Sequence, residues 1–338
     1  MLTERQQQLL QRVIEGHLQL GQPVGSKWLA DQPGVAWSSS TIRHELATLE
    51  DLGFLDHPHT SAGRLPTDTG YRIYVDSLLE HGIEPQGGFK LELSTMRREV
   101  DAAMRATTEM LSQVTDLVAA VSAPPLHTAT IRHIEVLLLQ PRIVLVVVIS
   151  STGAVTKRIF TFDRPVDPGL IDWAASYLNE RLEGMDLGAL MLRSRLDSDE
   201  LSGTERTFLD VLKPVFSDLA ETSEDTIYVE GAARLLTSHF GDVDEVNDLM
   251  RLLERRVTLL SVLRSTLNEP PVYLRIGHEN ATPELRSASV VAASYGLANR
   301  ALGAISVIGP VRMDYERAIS SVREAASTLS RFVEEVYE

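Results

Sequence analysis

Apolar positions along this chain change their period several times, and each change marks an element. Between residues 3 and 20 they fall at Leu9, Leu10, Val13, Ile14 and Leu18. Spacings of three and four put them on one helical face. The stretch "GQPV" (Gly21 to Val24) ends that helix, with glycine as the stop signal and proline just beyond. Ser26 can cap a short helix, "KWLAD", that stops before Pro33 and Gly34. A third helix is expected from Ser38 to Leu52, with Ile42, Leu46 and Leu49 in one narrow sector facing a core. "FLDHP" and "GRLPT" read as two short strands around "HTSA", and a further helix runs from Asp68 to Glu80. Short helices joined by turns and followed by a hairpin form the pattern of a helix-turn-helix with a wing.

"HGIEPQGG" (His81 to Gly88), with three glycines and a proline, reads as a linker. After it Met96, Val100, Met104, Thr107, Leu111, Val114, Val118 and Val121 recur at helical spacing, up to "APP". This long amphipathic helix either packs on its own domain or pairs with its twin in a dimer. From His133 the period shortens to that of strands: "HIEVLLL", "IVLVVVIS" and "AVTKRIFTF", with "STG" (Ser151 to Gly153) as a hairpin turn. Residues 168 to 222 read as mostly helical. A short strand, "TIYVE", is followed by a helix around "GAARLL", and Val243 to Leu267 read as one long helix. Strands return with "VYLRIG", "SASVVAASY" and "GAISVIG", and an amphipathic helix from Asp314 to Tyr337 closes the chain. Strands, then helices, then strands suggest an α/β domain interrupted by a mainly helical insertion. The expected organisation is α+β and multidomain. It has an N-terminal unit over 1–80, a linker and amphipathic helix over 81–123, an α/β domain over 124–166 and 268–338, and an insertion over 167–267.

Composition narrows the function. At 338 residues, 43% hydrophobic and 23% charged, the chain has the make-up of a soluble protein of two or three domains. It has no cysteine, which excludes disulfides, thiol catalysis and thiolate zinc sites and fits a reducing cytoplasm. "MLTERQQQLL" lacks the apolar core of a signal peptide. The longest aliphatic run, Ile143 to Ile149, is far shorter than the roughly 20 residues that cross a bilayer. The expectation is therefore a cytoplasmic protein without a membrane partner. A net charge of −15 argues against general coating of nucleic acid, but local charge decides contact. Residues 1–80 hold six basic and ten acidic side chains, a balance of −4. Any DNA contact there must place its few cations well.

The third helix meets that demand. Opposite its apolar sector lie Ser40, His44 and Ala47, flanked by Thr41, Arg43 and Thr48. In a helix-turn-helix the N-terminal part of this helix enters the major groove. Ser38, Ser39, Ser40 and Thr41 are small donors suited to phosphates or bases, Ala47 can touch a thymine methyl, and Arg43 can bond guanine or grip a phosphate. Glu50 and Asp51 fall at the far end. On the wing, His57, His59, Thr60, Ser61 and Arg64 surround Gly63, read as the tip, where an arginine suits a phosphate or a narrow minor groove.

Six blocks of the chain resemble the heat-inducible transcription repressors called HrcA. They are "GQPVGS", "SSSTIRHELATLEDLGFLDHPHTSAGRLPT", "GYRIYVD", "YVEGAARLL", "IGHEN" and "GAISVIGPVRMDYERAI", in the family's order over nearly the whole chain. The resemblance implies a winged helix, a GAF-like domain and a dimerising domain inserted into the latter. It also implies a homodimer that represses chaperone operons at an inverted-repeat operator, CIRCE, on double-stranded DNA. Activity would depend on the GroE chaperonin and be lost on heat shock. The groove-entering helix carries over to Ser38–Leu52 and the wing to His57–Arg64. One position departs from the pattern: where the family usually has Asn after the Arg of "TIR", this chain has His44. Asparagine can pair bidentately with adenine, whereas neutral histidine offers one donor or one acceptor. His44 either makes a different contact or touches backbone only.

Other constellations carry less. His57, His59 and His44 lack a completing ligand for a metal. "DVDEVND" (Asp242 to Asp248) has Val246 where a calcium loop needs Asp or Asn, and it reads as an acidic helix start. No phosphate loop, nucleophile elbow or catalytic pair is present, so neither an enzyme nor a cofactor is expected. His278, Glu279 and Asn280 follow a strand and either face a pocket or form a turn held by side-chain hydrogen bonds. The alternative to a chaperone repressor is a transcription factor that senses a small molecule in its GAF-like domain.

Overall fold

The computed structural model describes residues 2–58, 63–83, 89–91, 93, 100–124, 129–151, 155–187, 195–196, 201–216, 226–236, 243–265, 272–298 and 300–337. The N-terminal unit opens with α1 (Glu4–Leu20), started by a capping box between Thr3 and Gln6 and ended by Gly21 in the left-handed region. Two helices follow, α2 (Ser26–Ala30) and α3 (Ser39–Asp51). Strands β1 (Leu55–Asp56) and β2 (Leu65–Pro66) pair antiparallel, and α4 (Asp68–His81) starts at a Thr67 cap. Leu9, Val13, Leu29, Ile42, Leu49 and Val75 are fully buried between these helices. The apolar sector of α3 thus fixes which face of that helix is left outside.

Helix α5 (Val100–Thr115) ends sooner than its apolar spacing suggested, and Val118–Ser122 form a strand, β3. Asp116 takes a left-handed φ of 58°, which stops the helix. Every residue of β3 is buried, and a strand covered on both faces has no period to distinguish it from a continuing helix. The α5 stripe packs against this chain's own C-terminal helix and sheet.

Strand β3 belongs to a five-stranded antiparallel sheet with β7 (Ile227–Glu230), β8 (Tyr273–Ile276), β9 (Ala288–Leu297) and β10 (Arg300–Pro310), in the order β7-β3-β10-β9-β8. Its alternate residues serve two cores. Ala119, Val121, Val291, Ile305 and Val307 face α5 and the last helix, here α10 (Tyr315–Tyr337). Val118, Ala120, Val290, Ala304 and Ile308 face α8 (Val243–Glu254) and α9 (Arg256–Ser265). The single helix expected over 243–267 is thus two, parted at Arg255, where neither proline nor glycine marks the break.

The sequence places strands β4 (Ile131–Gln140), β5 (Ile143–Ser150) and β6 (Val155–Thr161) in one α/β domain with the C-terminal strands. They form their own three-stranded sheet, each pairing with its sequence neighbour. One face of it packs on α6 (Pro168–Leu182) and α7 (Gly203–Leu212) through Ile134, Val136, Val144, Val146, Val148, Leu178 and Leu209. A run of strands does not name its partners, and here tight connections decided the pairing. Among the described residues, no helix is long and apolar enough to cross a membrane.

Candidate nucleic-acid interface

The outer face of α3 begins with a cluster of hydroxyls. Ser38 caps the helix, its Oγ accepting from Thr41 N–H at 3.3 Å and lying 2.8 Å from Ser40 Oγ and 3.0 Å from Thr41 Oγ1. Ser39 Oγ lies 3.2 Å from Ser26 Oγ, which joins α2 to α3. Two of the four hydroxyls, Ser38 and Ser39, therefore have structural duties, and Ser38 and Ser40 are the exposed ones at the helical start. Arg43 and His44 are exposed. Among the described residues the Arg43 guanidinium has no hydrogen-bond or ion-pair partner. Ala47 is half-buried, and Thr48 donates to His44 C=O at 3.2 Å.

Two of the three carboxylates of α3 are taken up elsewhere, and the third, Asp51, is exposed at the helix's C-terminal end. Glu45 accepts from Arg5 Nη1 at 3.3 Å and from Gln6 Nε2 at 3.1 Å, both on α1. Glu50 meets the hairpin: its Oε2 lies 2.6 Å from Arg64 Nη2 and its Oε1 pairs with His57 Nδ1. This changes the reading of the wing. Arg64 is at the loop end of the short ladder but is not free, since its backbone N–H and C=O exchange 2.9 Å bonds with Val24. Its side chain is only 19% exposed. Gly63 beside it is held in the same way, where a Cβ would sit 2.5 Å from the Val24 carbonyl. Both positions read as a free tip because a sequence does not show that residues 63–64 fold back on the α1–α2 turn. His59, Thr60 and Ser61 lie outside the described residues.

A second group of polar residues joins this unit to the five-stranded sheet. The Asp68 carboxylate accepts from His278 N–H at 2.9 Å and lies 2.9 Å from His278 Nδ1. Arg72 donates through Nε to Glu279 at 2.8 Å, pairs with it again through Nη2, and bonds Leu274 C=O at 2.9 Å. Burial alone would raise the Glu279 carboxyl, but hydrogen bonds from Arg72 and Ile276 N–H outweigh it and hold it below the usual range. Asn280 Nδ2 donates to the carbonyls of Gly277, Leu285 and Ala288 at 3.0–3.1 Å. Residues 278–280 thus form the hydrogen-bonded turn, and the turn docks α4.

Behind it, the buried Tyr71 hydroxyl lies 2.9 Å from His17 Nδ1, and its ring packs at 5.7 Å on Tyr315. Tyr315 bonds Ser289 Oγ at 2.7 Å and Val311 C=O at 2.6 Å. Burial first, and the nearby Arg312 second, pull the His17 pKa down to about 4. Burial pushes both tyrosines well above their usual range. The network is therefore neutral at physiological pH. Sequence reasoning missed this joint because its halves, "GYR" and "IGHEN", are about 200 residues apart, and no local pattern links them.

The model of the HrcA protein C-terminal domain matches residues 101–319. The heat-inducible transcription repressor HrcA of Nocardioides sp. is 36% identical, the alignment covering 99% of this chain and 100% of that protein. Its counterpart from Parafrankia sp. is 34% identical over 96% and 97% of the two chains. The one from Brevibacillus brevis is 31% identical over the full length of both. Among solved structures, the crystal structure of a hypothetical protein at 2.2 Å resolution superposes with a TM-score of 0.72. It is 20% identical and covers 99% of this chain and 100% of its own, a likeness of fold. Sequence matches that run through the N-terminal unit, both sheets and the closing helix place this chain in the HrcA family of heat-inducible transcription repressors.

Proposed function

We propose that the chain represses transcription by binding double-stranded DNA as a homodimer, each copy offering its N-terminal unit as a winged helix. The observation that carries this reading is the charge arrangement on α3. Arg43 is exposed beside Ser40 and His44, while Glu45 and Glu50 are held by cations on other elements. A unit with a negative balance thereby presents Arg43 as the exposed charge at the N-terminal part of α3, with the exposed Asp51 about two turns away at its far end. In line with the family, the target is the CIRCE inverted repeat of chaperone operons, with activity dependent on the GroE chaperonin and lost on heat shock.

The sheet pairing supports a redrawn organisation. The five-stranded sheet with α5 and α8–α10 is the GAF-like domain, and β4 through α7 form the inserted unit. That unit also supplies a surface for a second copy. The outer face of its sheet carries Leu137 at 40% exposure, Leu139 at 51%, Val155 at 59% and Ile159 at 61%. Leu137, Leu145 and Ile159 align across the three strands. An outer apolar row such as Leu137–Leu145–Ile159 marks an association surface. The small-molecule alternative loses its candidate lining, since Glu279 and Asn280 are occupied by Arg72 and by main-chain groups.

The test is a titration of a synthetic CIRCE duplex in a gel-shift assay, with and without chaperonin. Salt-sensitive binding of the parent, weakened in Arg43→Ala, supports the reading. Unchanged affinity in Arg43→Ala overturns the assigned face.

A further inference from the structure

We infer that Glu50 is a positioning residue for DNA reading: it holds the hairpin at a fixed attitude to α3. This rests on the winged-helix reading proposed above. Glu50 and Arg43 are seven residues apart on α3, so they project from nearly the same side, about two turns from one another. An unpaired carboxylate there would stand on the DNA side and repel phosphate. Glu50 is not unpaired. Its two oxygens face two different residues: Oε2 is ion-paired with Arg64, and Oε1 is in contact with His57 Nδ1, which has no hydrogen-bond partner among the described residues. His57 and Arg64 lie on opposite limbs of the hairpin, just before and just after residues 59–62. One carboxylate therefore ties both limbs to the helix that carries Arg43.

The hairpin needs such a tie. Its strands are two residues each, and so small a ladder is marginal without outside support. The other supports have different reach. The Thr67 hydroxyl donates to Gly53 C=O at 2.7 Å and holds the α4 end. The Val24–Arg64 bonds hold one limb to the α1–α2 turn. Among the described residues, the ion-pair contacts of Glu50 reach both limbs beside the loop. The Arg64 guanidinium is turned inward, its Nε buried and without an acceptor among the described residues. Arg64 therefore contributes by holding Glu50 and the hairpin.

The sign of one substitution separates this role from bystander electrostatics. Glu50→Gln removes a negative charge from the DNA side. If Glu50 were only a nearby charge, the variant would bind a CIRCE duplex more tightly. A positioning role requires the opposite, with affinity falling about tenfold, the scale of one lost charge-assisted hydrogen bond. Arg64→Gln should weaken binding similarly, and the Glu50→Gln/Arg64→Gln double variant should be little worse than either single one. Hydrogen exchange supplies a readout without DNA, in which the Arg64 and Val24 amides exchange faster in Glu50→Gln while the α1 amides do not. If Glu50→Gln lowers the melting temperature broadly, the exchange test is repeated on Arg64→Lys, which keeps the charge and loses the Nη2 contact to Glu50. Binding at or above the parent level with unchanged exchange overturns the inference. Parent protein that fails to bind the duplex overturns the winged-helix reading, and Glu50 then has nothing to position. Parent binding with an unaffected variant overturns the Glu50 role alone.

Discussion

Replacing Gly277 with alanine probes the joint between the N-terminal unit and the five-stranded sheet. Gly277 has a φ of +52°, and an added Cβ would collide with the Asp68 carboxylate. The left-handed backbone costs an alanine about 1 kcal/mol. The displaced carboxylate loses its bonds to His278 N–H and Nδ1, both 2.9 Å. Hydrogen bonds to a charged group contribute about 1.5–3 kcal/mol, and the lower end applies here because the His278 side chain is 82% exposed. The total for Gly277→Ala is therefore about 2–3 kcal/mol. In an Asp68→Ala background the collision and the bonds are already gone, so the same change should cost only about 1 kcal/mol. The cycle should show a coupling of about 1–2 kcal/mol. Urea unfolding followed by tryptophan fluorescence measures it. In a Trp173→Phe background, the signal comes from Trp28 and Trp37 alone, both in the N-terminal unit. Additive costs, or a Gly277→Ala protein as stable as its parent, would refute the assigned geometry.

Other outcomes follow from the same structure. His17 has a folded pKa of about 4 against an ordinary 6.5, so the unfolded chain takes up a proton first as pH falls. Its contribution is complete above pH 6.5 and is lost as pH falls toward 4. Discounted for partial exposure, that is on the order of 1 kcal/mol, and His17→Gln should flatten the pH profile of unfolding over that window. Arg43→Ala should weaken operator binding by about 1–3 kcal/mol if it reads a base, and by less, with a shallower salt dependence, if it touches phosphate. Ile159→Asp should weaken self-association by at least about tenfold in sedimentation while leaving the fold intact, because it puts a charge in the outer apolar row Leu137–Leu145–Ile159.

Much of this architecture was legible from period alone. The spacing of Ile42, Leu46 and Leu49 assigned the buried face of α3, and by exclusion the outer face with Ser40, Arg43 and His44. The limits have physical causes. Val118 and Val121 satisfy a helical spacing, yet in a strand buried on both sides they mean nothing of the kind. The strands of 131–161 are evident from alternation, but their partners depended on connection geometry. Arg64 and Glu50 read as opposite charges kept apart, because their meeting requires the hairpin to fold back on α3. The Asp68–His278 and Arg72–Glu279 pairs join segments with no shared periodicity.

The central claim is that two copies of α3 hold an inverted repeat, and a nuclease footprint of the purified protein on a CIRCE duplex tests it most directly. The expected result is two protected half-sites related by the repeat's symmetry, appearing together as protein is added and both lost with Arg43→Ala. Their centres should lie a whole number of helical turns apart, in steps of about 10.5 base pairs. Protection of a single half-site, or a footprint that survives Arg43→Ala undiminished, would contradict it.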